Sequence, residues 1–134
     1  MSIFTPGIMA LALMSSVAIA QSPSKWIFAE QDFVLTPHEQ LVLKADALKG
    51  STKAAARLTH FYMNVVLDLE EGLRWAIVGA ENGDPVQQYE AYYLLSIRAS
   101  EEDRQRAGFW LHQAAEQGYK PAIDELEHSA STVR

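Results

Sequence analysis

Apolar residues along the chain recur at helical spacing in blocks that restart after a glycine. Four, eight and twelve residues beyond Gly50 stand Ala54, Leu58 and Tyr62. The same steps beyond Gly83 give Gln87, Ala91 and Leu95, and beyond Gly118 they give Ala122, Leu126 and Ala130. A step of four keeps side chains on one face of an α-helix, so each block predicts an amphipathic helix with one buried stripe. The start and stop signals agree. Thr36-Pro37-His38-Glu39 combines a capping threonine, a proline suited to the first helical position and a glutamate placed for a capping box, and it predicts a helix to Lys49, stopped by Gly50. Ser51 opens a second helix to about Val65, and Asp68 with Glu71 opens a third that ends at Asn82-Gly83. Asp84-Pro85 opens a fourth to about Arg98, Ser100 with Asp103 a fifth to Gln117-Gly118, and Pro121 a sixth that frays towards Arg134.

The glycine stops at 50, 83 and 118 lie 33 and 35 residues apart, which is a helical-repeat period. The intervening helices repeat as well. Trp75 and Trp110 occupy matching positions, each preceded by a small residue (Gly72, Ala107) and followed by a small pair (Gly79-Ala80, Ala114-Ala115), so helices can close tightly around the indole. The fold class expected is all-α, six helices in antiparallel hairpins joined by two or three residues, occupying 37 to 134 as one domain.

The N-terminal third reads differently. "MSIFTPGIMALALMSSVAIA" carries no charged side chain and ends in Ala18-Ile19-Ala20, a small-x-small pattern. Its apolar run from Ile8 to Ala20 is too short to span a bilayer comfortably, and the stretch predicts a signal peptide over 1–20 cleaved after Ala20. Residues 21–36 lack a helical period. Their apolar clumps (Trp26-Ile27-Phe28, Phe33-Val34-Leu35) suggest an extended cap across the first helices. The expectation is a periplasmic protein with no membrane span after cleavage. The chain has no cysteine, so stability has to come from packing without disulfides, and an N-terminal lipid anchor of the bacterial kind is not expected. Net charge −6 with 11 scattered Lys and Arg argues against nucleic acid.

"RAGFWLHQAAEQGYKPAIDEL", with the looser "GLRWAIVGAENGD" and "LKGSTKAAARLTHFY", resembles the Sel1-like repeat family, relatives of the tetratricopeptide repeat, over residues 40 to 127. The family's glycine-rich loop between helices is replaced by "NVVLD" and "SIRASEED". The resemblance implies a short right-handed α-solenoid that binds proteins.

No nucleophile elbow, zinc-protease helix, phosphate loop or dinucleotide fingerprint occurs. His38, His60, His112 and His128 contain no i, i+4 pair, so neither a metal site nor a cofactor is expected. The acidic runs Glu70-Glu71 and Glu101-Glu102-Asp103 fall in first helical turns, where the macrodipole favours negative charge. What remains is surface. Three, seven and ten residues beyond each glycine lie Lys53, Arg57 and His60, then Val86, Glu90 and Tyr93, then Pro121, Glu125 and His128. These flank the buried stripe on each first helix, the side that lines the concave face of helix-pair solenoids. The candidate partner-binding residues are Lys53, Arg57, His60, Glu90, Tyr92, Tyr93, Glu125 and His128. Small exported Sel1-like proteins resemble, as a group, immunity proteins that hold antibacterial effectors of type VI secretion, such as phospholipases or cell-wall hydrolases, inactive in the periplasm. The expected function is therefore binding of a protein partner by a chain that is monomeric when free, with an envelope scaffold as the alternative and a secreted enzyme as a remote one.

Overall fold

The computed structural model describes residues 33 to 132. The leader expected over 1–20 and all of the cap segment before Phe33 lie outside the described residues. Six α-helices pack against one another: α1 (Pro37–Leu48), α2 (Thr52–Phe61), α3 (Leu69–Glu81), α4 (Pro85–Ser96), α5 (Glu101–Glu116) and α6 (Lys120–Thr132). A π-helical turn, Tyr62–Val66, follows α2, and no strand occurs among the described residues. Each helix packs on its neighbours in sequence, and α1 also meets α3.

The caps form as the side chains dictate. The Thr36 hydroxyl accepts from Glu39 N at 3.2 Å while Glu39 Oε2 accepts from Thr36 N at 2.8 Å, a complete capping box. Ser51, Asp68, Asp84 and Ser100 each accept from an N–H of the first turn of the helix they open. The glycine corners are three copies of one motif. Gly50 N–H bonds to Ala47 O at 3.0 Å and Ser51 N–H to Asp46 O at 3.0 Å. The same pair recurs as Gly83 to Ala80 and Asp84 to Gly79, and as Gly118 to Ala115 and Tyr119 to Ala114. The three glycines have φ of 104°, 90° and 82°, the left-handed region in which a Cβ is strained.

The corners also touch. Asn82 Nδ2 donates to Val78 O at 2.9 Å in its own helix and reaches Ala47 O, at the end of α1, at 3.4 Å. Gln117 Nε2 donates to Gln88 Oε1 at 2.7 Å, and Gln88 Nε2 donates to Ala80 O at 3.2 Å. Carboxamides thus tie the three corners into a row.

The second helix differs from its sequence expectation. Regular α-helix stops at Phe61, and the next five residues take the wider π geometry before Leu67 turns left-handed at φ 60°, ψ 32°. Asp68 N–H closes the turn on Tyr62 O at 2.8 Å. Where the first kind of corner has glycine, this one holds an L-residue in its least favoured helical well.

The buried stripe forms on α2 and α4: Ala54, Leu58, Tyr62, Gln87, Ala91 and Leu95 are all buried. Of the α6 stripe positions only Ala122 is buried, while Leu126 is half-buried and Ala130 exposed, since among the described residues no further helix covers that end. Trp75 and Trp110 are buried as expected. A cation lies over each: Lys44 Nζ is 6.0 Å from the Trp75 ring and the Arg106 guanidinium 5.1 Å from the Trp110 ring.

Gln87 is the polar exception in the stripe, 0 % exposed. Thr59 Oγ1 lies 3.0 Å from Ala55 O and 2.7 Å from the Gln87 carboxamide oxygen, while Gln87 Nε2 is buried without a partner. One hydroxyl proton cannot serve two acceptors. Turning the carboxamide over by 180° settles the proton conflict: Nε2–H donates to Thr59 Oγ1, the hydroxyl donates to Ala55 O, and the carboxamide oxygen takes the buried position that has no partner. In that orientation the α2–α4 contact is tied by a hydrogen bond that no apolar residue in the stripe supplies.

Candidate partner-binding face

The positions three, seven and ten residues past each glycine are carried by α2, α4 and α6. Because they flank the buried stripe, the same packing that sinks Leu58 and Ala91 turns them outward. On α2, Lys53 and Arg57 are exposed and His60 is half-buried, with the Phe33 ring 6.1 Å away, edge to face. On α4, Val86 and Tyr93 are exposed, Tyr93 at 52 %, and Glu90 is half-buried. On α6, Pro121 and His128 are exposed and Glu125 is half-buried.

Two candidate residues are brought into direct contact. The Tyr92 hydroxyl donates to Glu125 Oε1 at 3.1 Å, bridging α4 and α6. Its ring is part-buried against both the second and third apolar clusters. Burial first, and the bond to Glu125 second, push the Tyr92 hydroxyl up to about 12. Tyr89 packs between Tyr92 and Tyr119 with ring centroids 5.5 Å from each, and its hydroxyl is also raised, mainly by burial. Tyr92 is therefore spent largely on holding α4 to α6, whereas Tyr93, one residue on, faces solvent.

Charge is graded along the face. The α2 end carries Lys53 and Arg57, and the α4 and α6 portions carry Glu90 and Glu125. Ion pairs gather at the N-terminal turns of α3 and α5, and Lys120 pairs with Asp124 in the first turn of α6. Arg98, past the end of α4, reaches Glu70 at 2.6 Å and Asp103 at 3.0 Å, and Arg104 pairs with Glu101 at 2.6 Å. The acidic runs sit in first helical turns, as the sequence suggested, and Glu70, Glu71, Glu101 and Asp103 each pair with an arginine within the fold.

Two surfaces have no counterpart in the repeat pattern. A recess at the π turn is lined by Phe33, Val34, His60, Asn64 and Val65. A groove between α3 and α5 has Leu73, Ile77, Leu95 and Phe109 as its floor and Arg98, Glu102 and Asp103 at its rim. The π turn that shapes the recess leaves no mark in "YMNVV", while exposed Phe109 is one residue ahead of the conspicuous Trp110. Among the described residues, no group of three or more His, Asp and Glu could hold a metal ion, and no helix is long and apolar enough to cross a membrane. Comparison with protein-family models, curated proteins and solved structures finds no match to this chain.

Proposed function

We propose that the chain is a protein-binding module: a short right-handed α-solenoid of Sel1-like repeats that presents the outward face of α2, α4 and α6 to a partner. The observation that carries this reading is the triple recurrence of one corner. Gly50, Gly83 and Gly118 close with the same pair of hydrogen bonds, carboxamides join the corners in a row, and matching positions emerge as buried stripe or outward face on successive first helices. Translation of one unit along a row is how helix-pair solenoids build extended binding surfaces. Lys53, Arg57, Tyr93 and His128 are exposed on that surface with the rigid ring and long charged side chains that anchor interfaces.

The narrower reading follows from the leader expected over 1–20 and the resemblance to small exported Sel1-like proteins. The protein would act in the periplasm as an immunity protein, holding a secreted antibacterial effector such as a phospholipase or cell-wall hydrolase inactive. Affinity capture followed by titration of Arg57→Ala, Glu90→Ala and Tyr93→Ala tests the face. A true anchor should weaken binding by about 2 kcal/mol or more, roughly thirtyfold, with the fold intact. Parental affinity in all three variants overturns the face. A captured envelope-assembly protein in place of a toxin overturns the immunity reading alone.

A further inference from the structure

The residues directly ahead of the corner glycines are Lys49, Asn82 and Gln117, and they differ in one chemical respect. A side-chain carboxamide can be attacked by the backbone nitrogen of the next residue. Asparagine closes a five-membered imide readily, glutamine has to close a slower six-membered ring, and lysine has no carbonyl to attack. Asn82-Gly83 is the chain's only Asn-Gly pair, and glycine, lacking a Cβ, leaves its nitrogen open to the approach.

In the folded corner the groups that would react are engaged. Asn82 Nδ2, the leaving nitrogen, donates to Val78 O at 2.9 Å and reaches Ala47 O at 3.4 Å. The attacking Gly83 N–H is bonded to Ala80 O at 3.0 Å, and the next N–H, of Asp84, to Gly79 O at 3.1 Å. At ψ 5° the Gly83 nitrogen is eclipsed with Asn82's own backbone nitrogen and turned away from its Cβ. Asn82 is nevertheless exposed, so water for a later hydrolysis is at hand. Bringing the nitrogen onto Cγ therefore requires the corner to open, a local event easier than global unfolding where a few exposed hydrogen bonds hold the turn.

We propose that Asn82-Gly83 is a self-modification site gated by its own corner. Closed, the corner keeps the carboxamide intact. Opened, it lets the Gly83 nitrogen give up its proton and attack Asn82 Cγ; the Cγ–Nδ2 bond breaks, and ammonia leaves with that proton. Water then opens the imide at one carbonyl or the other, giving aspartate or isoaspartate at 82. Aspartate sets a carboxylate opposite Ala47 O and Val78 O, at the negative C-terminal ends of α1 and α3, where the amide had donated. Isoaspartate adds a backbone atom to the turn. Either product loosens α1 from the row of corners irreversibly, at a rate set by how often the corner opens. This inference does not depend on the partner-binding reading.

Peptide mass spectrometry of the unmodified chain, incubated at neutral pH with and without unfolding urea, reads the amide-to-acid mass gain at position 82. Conversion should be at least about tenfold faster in urea than in the folded protein, since only the opened corner reacts. Equal rates in the two conditions, or no conversion in urea, overturn the gated site. Asn82→Gln, with the side chain that the next repeat carries, should show no comparable gain in urea, and conversion there at the parental rate also overturns it. Asn82→Asp stands in for one product and should melt about 4 °C or more below the unmodified protein. Equal melting temperatures overturn the loosening of α1. Should Asn82→Asp fail to fold, the comparison in urea still decides the gating, because it needs no variant.

Discussion

Gly79 and Gln87 fit each other across the α3–α4 contact: a Cβ on Gly79 would lie 2.6 Å from Gln87 Cγ and 2.9 Å from Gln87 Cβ. One repeat later, 35 residues from each, stand Ala114 and Ala122, both fully buried. The volume that one pair divides as nothing and a carboxamide, the other divides as two methyl groups.

Such compensation should appear as coupling between the two sites. Gly79→Ala alone crowds Gln87 and Ala55 and should cost about 1 to 3 kcal/mol as an overpacked core does. Gln87→Ala alone empties a buried site and breaks the tie to Thr59. Together they recreate the alanine pair of the next repeat, so the double variant should be more stable than the sum of the single effects by about 1 to 3 kcal/mol. Denaturant titration of the four proteins measures this, and strictly additive changes would remove the compensation.

The two kinds of corner should respond oppositely to a change at the left-handed residue. A Cβ added at Gly118 meets nothing within 4 Å, so Gly118→Ala carries only the conformational cost of φ 82°, about 1 kcal/mol of destabilisation. Leu67 is 75 % exposed at φ 60°, so Leu67→Gly gives up little burial and relieves strain, for a gain of about 0.5 to 1 kcal/mol. Thermal melting of both variants gives the signs, and loss of stability in Leu67→Gly would show that its side chain matters more than its backbone.

Acid should loosen the fold from the helix starts. The Thr36 N–H and hydroxyl hold the Glu39 carboxylate below its ordinary value, Arg104 does the same for Glu101, and Ser100 and then Arg98 do so for Asp103. Groups whose pKa falls on folding lend stability above their unfolded values, near 4 to 4.5, and lose it as pH drops through the lower folded values. The melting temperature should therefore decline as pH falls below about 4.5, with Glu39→Gln and Glu101→Gln each flattening the slope. A melting temperature level between pH 5 and pH 3 would remove the effect.

At the alkaline end the sign reverses. The Tyr92 hydroxyl sits at about 12 in the fold, above its ordinary value, because burial and Glu125 favour the neutral form. Its contribution is whole below about pH 10 and is lost as pH rises from there towards 12. Tyr92→Phe should flatten that decline, and an unchanged alkaline profile would assign it to other groups.

The corners were legible because their chemistry is local: glycine at a left-handed site, Ser or Asp two or three residues ahead of an unpaired N–H. The stripe was legible because Leu58, Ala91 and Leu95 repeat at a helical step. The π turn was not, since nothing in Tyr62 to Val66 separates the wider coil from a continuing α-helix. Nor was the division of labour at Tyr92 and Tyr93. Adjacent tyrosines are alike in sequence, and only the position of α6 decides that Tyr92 is held by Glu125 while Tyr93 stays outside.

Two of the three glycine corners use their last residue twice. Ser51 N–H closes α1 on Asp46 O, and Ser51 Oγ opens α2 by accepting from Ala54 N; Asp84 serves both helices in the same way. No residue is left over, so a codon gained or lost there would separate the closing bond from the opening one and shear every later unit out of line. The link from Ile97 to Ser100 carries no such double duty. Changes in length over evolutionary time, and loops grafted by design, should settle between α4 and α5 and avoid the glycines.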